Sequence, residues 1–307
     1  MLKRSLLLSL ALATPVMAQT PRVVTDIAPI GGLVSMVMGD LGASDVLIAP
    51  NASPHTYALR PSDATALEQA DLVIWMGEAL TPWLADSIAV LAKDAQIIEL
   101  LDAPDTHILE FSAAKDPHDD HDDHAKTGHD HGHDDHDHSG IDPHAWLDPN
   151  NGAVWVDLIA QKLSKMDPDN AAQYALNAQK AQADITAITA DIAAKLEPHH
   201  DVPFLVFHDA YQYFEMRFGL DASGAVSLGD GAALAPTDLQ DLREMVSNEG
   251  VTCAFTEPQF DPRVIETVFA GLLKPVELDP LGADAGGYLE MMQNLGTAFE
   301  RCLTQTP

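Results

Sequence analysis

From residue 169 to residue 197 no glycine or proline interrupts the chain. Within that stretch Tyr174, Ala178, Ala181, Ile185, Ile188, Ile192 and Leu196 recur at steps of three and four, the spacing of one helix face. Asp167 and Pro168 supply a cap and a first-turn proline, and Pro198 ends the pattern. At 1.5 Å per residue such a helix is a rod of about 43 Å. It is long enough to run down the whole molecule and join two lobes, and its stiffness limits how far they open.

Short apolar strands and helical patterns alternate on both sides of the rod. Before it, strands are expected at 23–26, 45–48, 71–76 and 96–100. Helices are expected at 33–38, after a Ser62-Asp63 cap, at 80–91 and at 151–165. Gly31 and Gly32 read as a lead into the first helix. After the rod, strands are expected at 202–207, 251–255 and 275–278, with helices at 210–218, 237–246, 262–272 and 287–303. This alternation predicts an α/β chain, each lobe a mostly parallel sheet flanked by helices. The expected division is 19–166 for one lobe, 167–198 for the linking helix and 199–307 for the other.

The first eighteen residues read as a cleavable leader. Lys3 and Arg4 precede an apolar run, and Val16-Met17-Ala18 has the small-residue form of a cleavage site. No cysteine follows it, so a periplasmic protein without a lipid anchor is expected. Cys253 and Cys302 are the two cysteines. In an exported chain an isolated pair is expected to form a disulfide, the alternative being two buried thiols.

The formal net charge is −31, which excludes nucleic acid as a partner and draws cations. Part of it comes from residues 116–138, where nine aspartates stand among His118, His121, His124, His129, His131, His133, His136 and His138. Apart from Pro117, its only apolar residue is Ala125, so this tract cannot build a core. Its imidazoles and carboxylates suit a soft-to-borderline divalent metal. We read it as an accessory metal-collecting loop, a disordered loop spanning 116–140 within the first lobe.

Six histidines lie elsewhere. His55 sits in the proline-rich loop after a strand, His208 directly after a buried strand, and His144 in a proline-flanked segment before a helix. Asp279 also follows a strand directly. Ligands in open α/β sheets bind beyond the carboxyl ends of strands, so two lobes facing each other would bring these four together. Three neutral imidazoles and one carboxylate satisfy tetrahedral Zn²⁺; calcium and magnesium want more oxygens. His199 and His200 read as exposed residues at a helix end, and His107 as surface.

Several motifs together carry a resemblance: Pro54-His55-Thr56-Tyr57 with Arg60-Pro61-Ser62-Asp63, Pro143-His144-Ala145-Trp146-Leu147-Asp148-Pro149, Phe207-His208-Asp209-Ala210-Tyr211, Thr256-Glu257-Pro258-Gln259 and Leu278-Asp279-Pro280-Leu281-Gly282. In order and spacing the chain resembles the cluster 9 (cluster A-I) metal-binding proteins of bacterial ABC importers, in particular the zinc-specific, ZnuA-like members. The resemblance covers essentially the whole mature chain. It implies no enzyme but a periplasmic solute-binding protein with Zn²⁺ in the cleft between its lobes. His55, His144 and His208 match the family's histidine ligands and Asp279 its carboxylate. Glu257 matches a nearby carboxylate, behind the ligands or an alternative to one of them. The implied partners are an inner-membrane zinc permease with its cytoplasmic ATPase and a periplasmic zinc chaperone, the protein itself being a monomer. Two other functions fit the ligand set: a manganese or iron carrier on the same scaffold, and an exported zinc hydrolase. The hydrolase reading lacks a His-Glu-x-x-His helix, and Asp279 would close its open position.

Overall fold

The computed structural model describes residues 20–49, 51–111, 140–227, 236–260 and 275–305, with residues 263, 269 and 273. The leader, the tract at 116–138 and nearly all of the helix expected at 262–272 lie outside the described residues. The described residues form two four-stranded sheets, both wholly parallel. The first has the order β2-β1-β3-β4, with β1 Val23–Thr25, β2 Ser44–Val46, β3 Leu72–Trp75 and β4 Gln96–Glu99. The second repeats that order as β6-β5-β7-β8, with β5 Phe204–His208, β6 Gly224–Ser227, β7 Cys253–Thr256 and β8 Val276–Glu277. In each sheet the chain steps to one side and returns on the other, so strand order reverses between its first and third strands. Those reversals, β1/β3 and β5/β7, are where such sheets open a ligand crevice.

Among the described residues the helices are α1 Ala28–Met38, α2 Pro61–Gln69, α3 Pro82–Leu91, α4 Pro149–Met166, α5 Ala171–Leu196, α6 Gln212–Phe218, α7 Pro236–Glu249 and α8 Tyr288–Leu303. α1 begins five residues earlier than its apolar pattern suggests and takes in both glycines. Packing explains this: a Cβ on Gly32 would lie 2.6 Å from the backbone nitrogen of Tyr288. The glycine lets α8 approach α1 closely and makes no turn. α2 also starts earlier than its expected Ser62-Asp63 cap. Pro61 opens it, and the Asp63 carboxylate reaches back to accept the Arg60 backbone N–H at 2.9 Å. β6 carries little signal in sequence, with one β-branched residue among Gly, Ala and Ser.

The long helix is an α-helix of 26 residues with a 3₁₀ turn at each end, Pro168–Asn170 and Glu197–His199. It buries Tyr174, Ala178, Ala181, Ile185, Ile192 and Leu196, while Ile188 is half-buried. The helix is no bare connector: it packs against α1, α4 and α8. One apolar core therefore runs from the first sheet through α4, α5 and α8 to the inner face of β5. Alternation along β5 puts Phe204 and Val206 into this core, while Leu205 and Phe207 join a second cluster with Leu242, Val246 and Phe269 on the other face. The Cys253–Cys302 disulfide ties β7 to α8, as expected. No described helix is long and apolar enough to cross a membrane.

Candidate metal centre

Each of the three histidines is placed by a different local device. His55 lies in the loop after β2. That loop is pinned where Trp83 Nε1 donates to the Pro54 carbonyl at 2.9 Å, Tyr57 donates to Asp63 at 2.9 Å and Arg60 donates to the Leu47 carbonyl at 3.2 Å. His144 follows a bridge between residues 109–111 and 140–142, the described segments that flank the His/Asp tract. Glu110 pairs antiparallel with Ile141, Phe111 N–H donates to Gly140 and Asp142 N–H donates to Leu109. The described residues on either side of the tract thus form a closed neck. Trp146 Nε1 then donates to the Pro280 carbonyl at 2.9 Å, anchoring this segment to the opposite lobe. His208 is the last residue of β5 and shares the face of Phe204 and Val206, toward the first lobe.

The three imidazoles meet. Their ligand atoms lie within 4.8 Å of one another, and no further group of potential ligands is found among the described residues. Ring centroids are 5.2 Å apart for His144 and His208, 5.5 Å for His55 and His144, and 6.2 Å for His55 and His208. His144 and His208 are 3 % and 6 % exposed, whereas His55 is half-buried. Pro54, Trp146, Phe260, Pro280 and Leu281 wall the crevice, so a charge held here is poorly served by water.

Two carboxylates fix how the rings present themselves. Asp142 Oδ1 lies 2.7 Å from His144 Nδ1 and also accepts the His144 backbone N–H at 2.9 Å. Glu257, directly after β7, places Oε1 2.8 Å from His208 Nδ1. A carboxylate only accepts, so both Nδ1 atoms carry the proton and both Nε2 atoms present a lone pair. Those two Nε2 atoms are 3.3 Å apart. Two lone pairs aimed at each other are favourable only with a proton or a metal cation between them. Burial first, and then the neighbouring His208, hold the His144 imidazole well below its ordinary pKa, Asp209 opposing them, so a proton is the weaker candidate.

Asp279, expected as the fourth ligand, is not in this group. Its Oδ1 accepts the backbone N–H of Leu281 at 3.0 Å and of Gly282 at 3.0 Å, and Gln259 Nε2 at 3.2 Å. Its Oδ2 accepts the N–H of Ala283 at 2.5 Å. The turn that begins at Pro280 points three donors at the nearest acceptor, and Asp279 caps it. Glu257, by contrast, stands behind His208. Tyr211, three residues after His208, is buried beside these carboxylates. Burial, then Glu257 and Asp279, push its hydroxyl well above the ordinary value and keep it protonated. Asp142 carried no signal beyond its place two residues before His144. His107 is exposed, as expected, and its ring lies 3.5 Å from the buried Asp148 carboxylate and edge-on to Tyr213. His199 ends the 3₁₀ turn after α5, and His200 lies against Gly219. The eight histidines of the tract lie outside the described residues.

Residues 23–302 match the protein family described as zinc-uptake complex component A, periplasmic. The chain belongs to this family. A high-affinity zinc uptake system protein ZnuA of Paracoccus denitrificans is 43 % identical, the alignment covering 97 % of this chain and 98 % of the relative. A protein of the same description from Brucella suis is 36 % identical over 92 % of each. Among solved structures, a ZnuA crystal structure superposes with a TM-score of 0.77 at 21 % identity, covering 93 % of this chain and 100 % of the other. A zinc-bound ZnuA deletion mutant superposes with a TM-score of 0.78 at 22 % identity, covering 94 % of this chain and 100 % of the other. At those identities the superpositions speak for the fold, which this zinc-uptake family member shares.

Proposed function

We propose that this protein is the periplasmic binding component of a zinc importer, holding Zn²⁺ between its lobes and passing it to an inner-membrane ABC permease driven by a cytoplasmic ATPase. Membership of the zinc-uptake family and relatives named as high-affinity zinc uptake proteins support it. The single observation that carries it at the site is the 3.3 Å between the Nε2 atoms of His144 and His208. Zn–N bonds of 2.0–2.1 Å in a tetrahedron give ligand edges of about 3.3–3.4 Å. Two corners of that tetrahedron are thus already set, by rings whose protons point away from the centre. His55 supplies the third corner from the more exposed loop. The fourth falls to Asp279 only if its carboxylate leaves the turn that it caps; otherwise water takes it. The lobes are 19–166 and 199–307, joined by 167–198. The leader 1–18 is removed on export, and the monomer then receives zinc from the periplasm, directly or from a chaperone.

The test is titration of the purified protein with Zn²⁺ in competition with a chelator. His208→Ala and His55→Ala should each weaken binding at least a hundredfold, and Asp279→Asn separates carboxylate from water at the fourth position. Wild-type affinity in both histidine variants would overturn the assignment. Parallel titration with Mn²⁺ tests the carrier alternative: a site of three imidazoles should prefer zinc by orders of magnitude.

A further inference from the structure

We propose that Asp142 is a positioning residue that, with Glu257, gives the site its preference for a doubly charged ion. The inference rests on the three-histidine reading above and concerns charge. Three neutral imidazoles carry none, and on softness alone such a set takes Cu⁺ as readily as Zn²⁺. A dication in a water-poor crevice needs two negative charges nearby, because its own charge is poorly screened there. The loaded-site ligands that the geometry brings together do not supply them. Two carboxylates immediately behind them do: Asp142 is 0 % and Glu257 is 3 % exposed, and each is hydrogen-bonded to the far nitrogen of one ligand ring. The other carboxylates close by, Asp209 and Asp279, are half-buried and better screened. With Zn²⁺ bound, the buried set Asp142–His144, Glu257–His208 and the ion is neutral; with Cu⁺ it keeps one uncompensated negative charge.

Asp142 is held rigidly enough to do this. Its backbone N–H donates to Leu109, and its own carbonyl accepts the Tyr213 hydroxyl from α6 at 2.9 Å. The same hydroxyl accepts the Leu109 N–H at 2.8 Å. One side chain of the second lobe therefore clamps the neck from which Asp142 reaches His144. The hydrogen bond from Nδ1 also makes Nε2 a stronger electron donor, and it fixes which nitrogen faces the ion.

The experiment compares Zn²⁺ and Cu⁺ affinities, the latter under anaerobic conditions against a Cu⁺ chelator, in the wild type, Asp142→Asn, Glu257→Gln and His144→Ala. Asp142→Asn should weaken Zn²⁺ binding about 10–100-fold, the usual range for losing such a partner, with Cu⁺ affinity changed less than about threefold. Glu257→Gln should move the ratio the same way. The imidazole ¹⁵N shifts of His144 in the metal-free variant should show loss of a single fixed tautomer. Equal weakening of both ions in both variants would make the carboxylates mere props and overturn the proposal, as would no change for either ion. If Asp142→Asn does not fold, Glu257→Gln alone decides. If His144→Ala keeps wild-type Zn²⁺ affinity, the three-histidine reading itself fails, an outcome distinct from the other two.

Discussion

Arg217 on α6 and Asp148 at the start of α4 form a two-pronged ion pair between the lobes, with Nε 2.8 Å from Oδ1 and Nη2 2.7 Å from Oδ2. Asp148 is fully buried and also accepts the Asn150 backbone N–H as the cap of α4. One carboxylate thus starts a helix in the first lobe and fastens the second lobe to it, four residues from His144. Removing the guanidinium leaves a buried charge without its main partner. Arg217→Ala should lower stability by about 3 kcal/mol, the low end of the range for broken buried pairs because Arg217 is partly exposed. Arg217→Lys should fall between, keeping charge but losing the fork. Urea unfolding of the metal-free protein measures both. A loss below about 1 kcal/mol in the alanine variant would show that the pair is not holding the lobes.

Zinc binding should depend on pH less steeply than three free imidazoles would make it. Each ligand must be unprotonated to bind. The His144 pKa is held well below the ordinary 6.5 by burial and by His208. Its imidazole is therefore neutral through the pH range in which an ordinary histidine takes up a proton, and it releases none on binding there. Between pH 6 and 5, log Kd should rise by no more than about two per unit. Isothermal titration in buffers of different ionisation enthalpy counts the released protons; three would contradict the lowered pKa.

Asp26 sits directly after β1 at the reversal point of the first sheet, where its carboxylate accepts the N–H of Met76 and of Ile27 at 2.8 Å each. It is fully buried, and burial raises its pKa to about 6 against those two stabilising bonds. A raised carboxyl pKa means that the folded state binds the proton more tightly than the unfolded one. The contribution of Asp26 is then fully present below about pH 4 and is lost as pH rises through about 6. The difference is about 3 kcal/mol in total. In Asp26→Asn this falling component between pH 4 and 6 should vanish from the stability profile. An unchanged profile would mean that Asp26 titrates normally.

Gly32→Ala should destabilise the protein by about 1–3 kcal/mol, although alanine is the better helix former by about 1 kcal/mol. The added methyl would meet the Tyr288 backbone 2.6 Å away, and a backbone atom at the start of α8 has little room to move. Tyr288 also donates to the Trp146 carbonyl at 2.9 Å, so the shift should reach the His144 segment. Thermal unfolding and zinc affinity should both register it; a raised Tm would refute the close-packing argument.

Removing the Cys253–Cys302 bridge, which joins residues 49 apart, should lower stability by roughly 4 kcal/mol through the entropy of the unfolded chain. Denaturation midpoints with and without reductant, and in a Cys253→Ala/Cys302→Ala variant, check this. Both sulfurs are buried, so the double alanine variant also carries a small packing loss.

Much of this architecture is legible in the residues themselves. Short unbroken apolar runs for the buried strands and the glycine-free 3.6-period stripe follow from local chemistry, and so do the disulfide partners of an exported chain. The positions of His55, His144 and His208 after strands or before a helix follow from where open sheets bind ligands. Gly31 and Gly32 misled because they are packing glycines: Gly31 lies against Val46 of β2, and Gly32 against Tyr288 of a helix more than 250 residues away. β6 was silent because its residues have little strand preference of their own.

The sequence by itself determined which side chains are able to hold a metal and which stretches form sheets and helices, because those are properties of residue type and short-range periodicity. Only the tertiary structure decided their geometry. It placed Asp142 and Glu257 behind two rings, turned Nε2 of each toward a common point, and engaged Asp279 in its own turn. Hydrogen bonding depends on tenths of an ångström between groups far apart in the chain, and no local pattern encodes those distances.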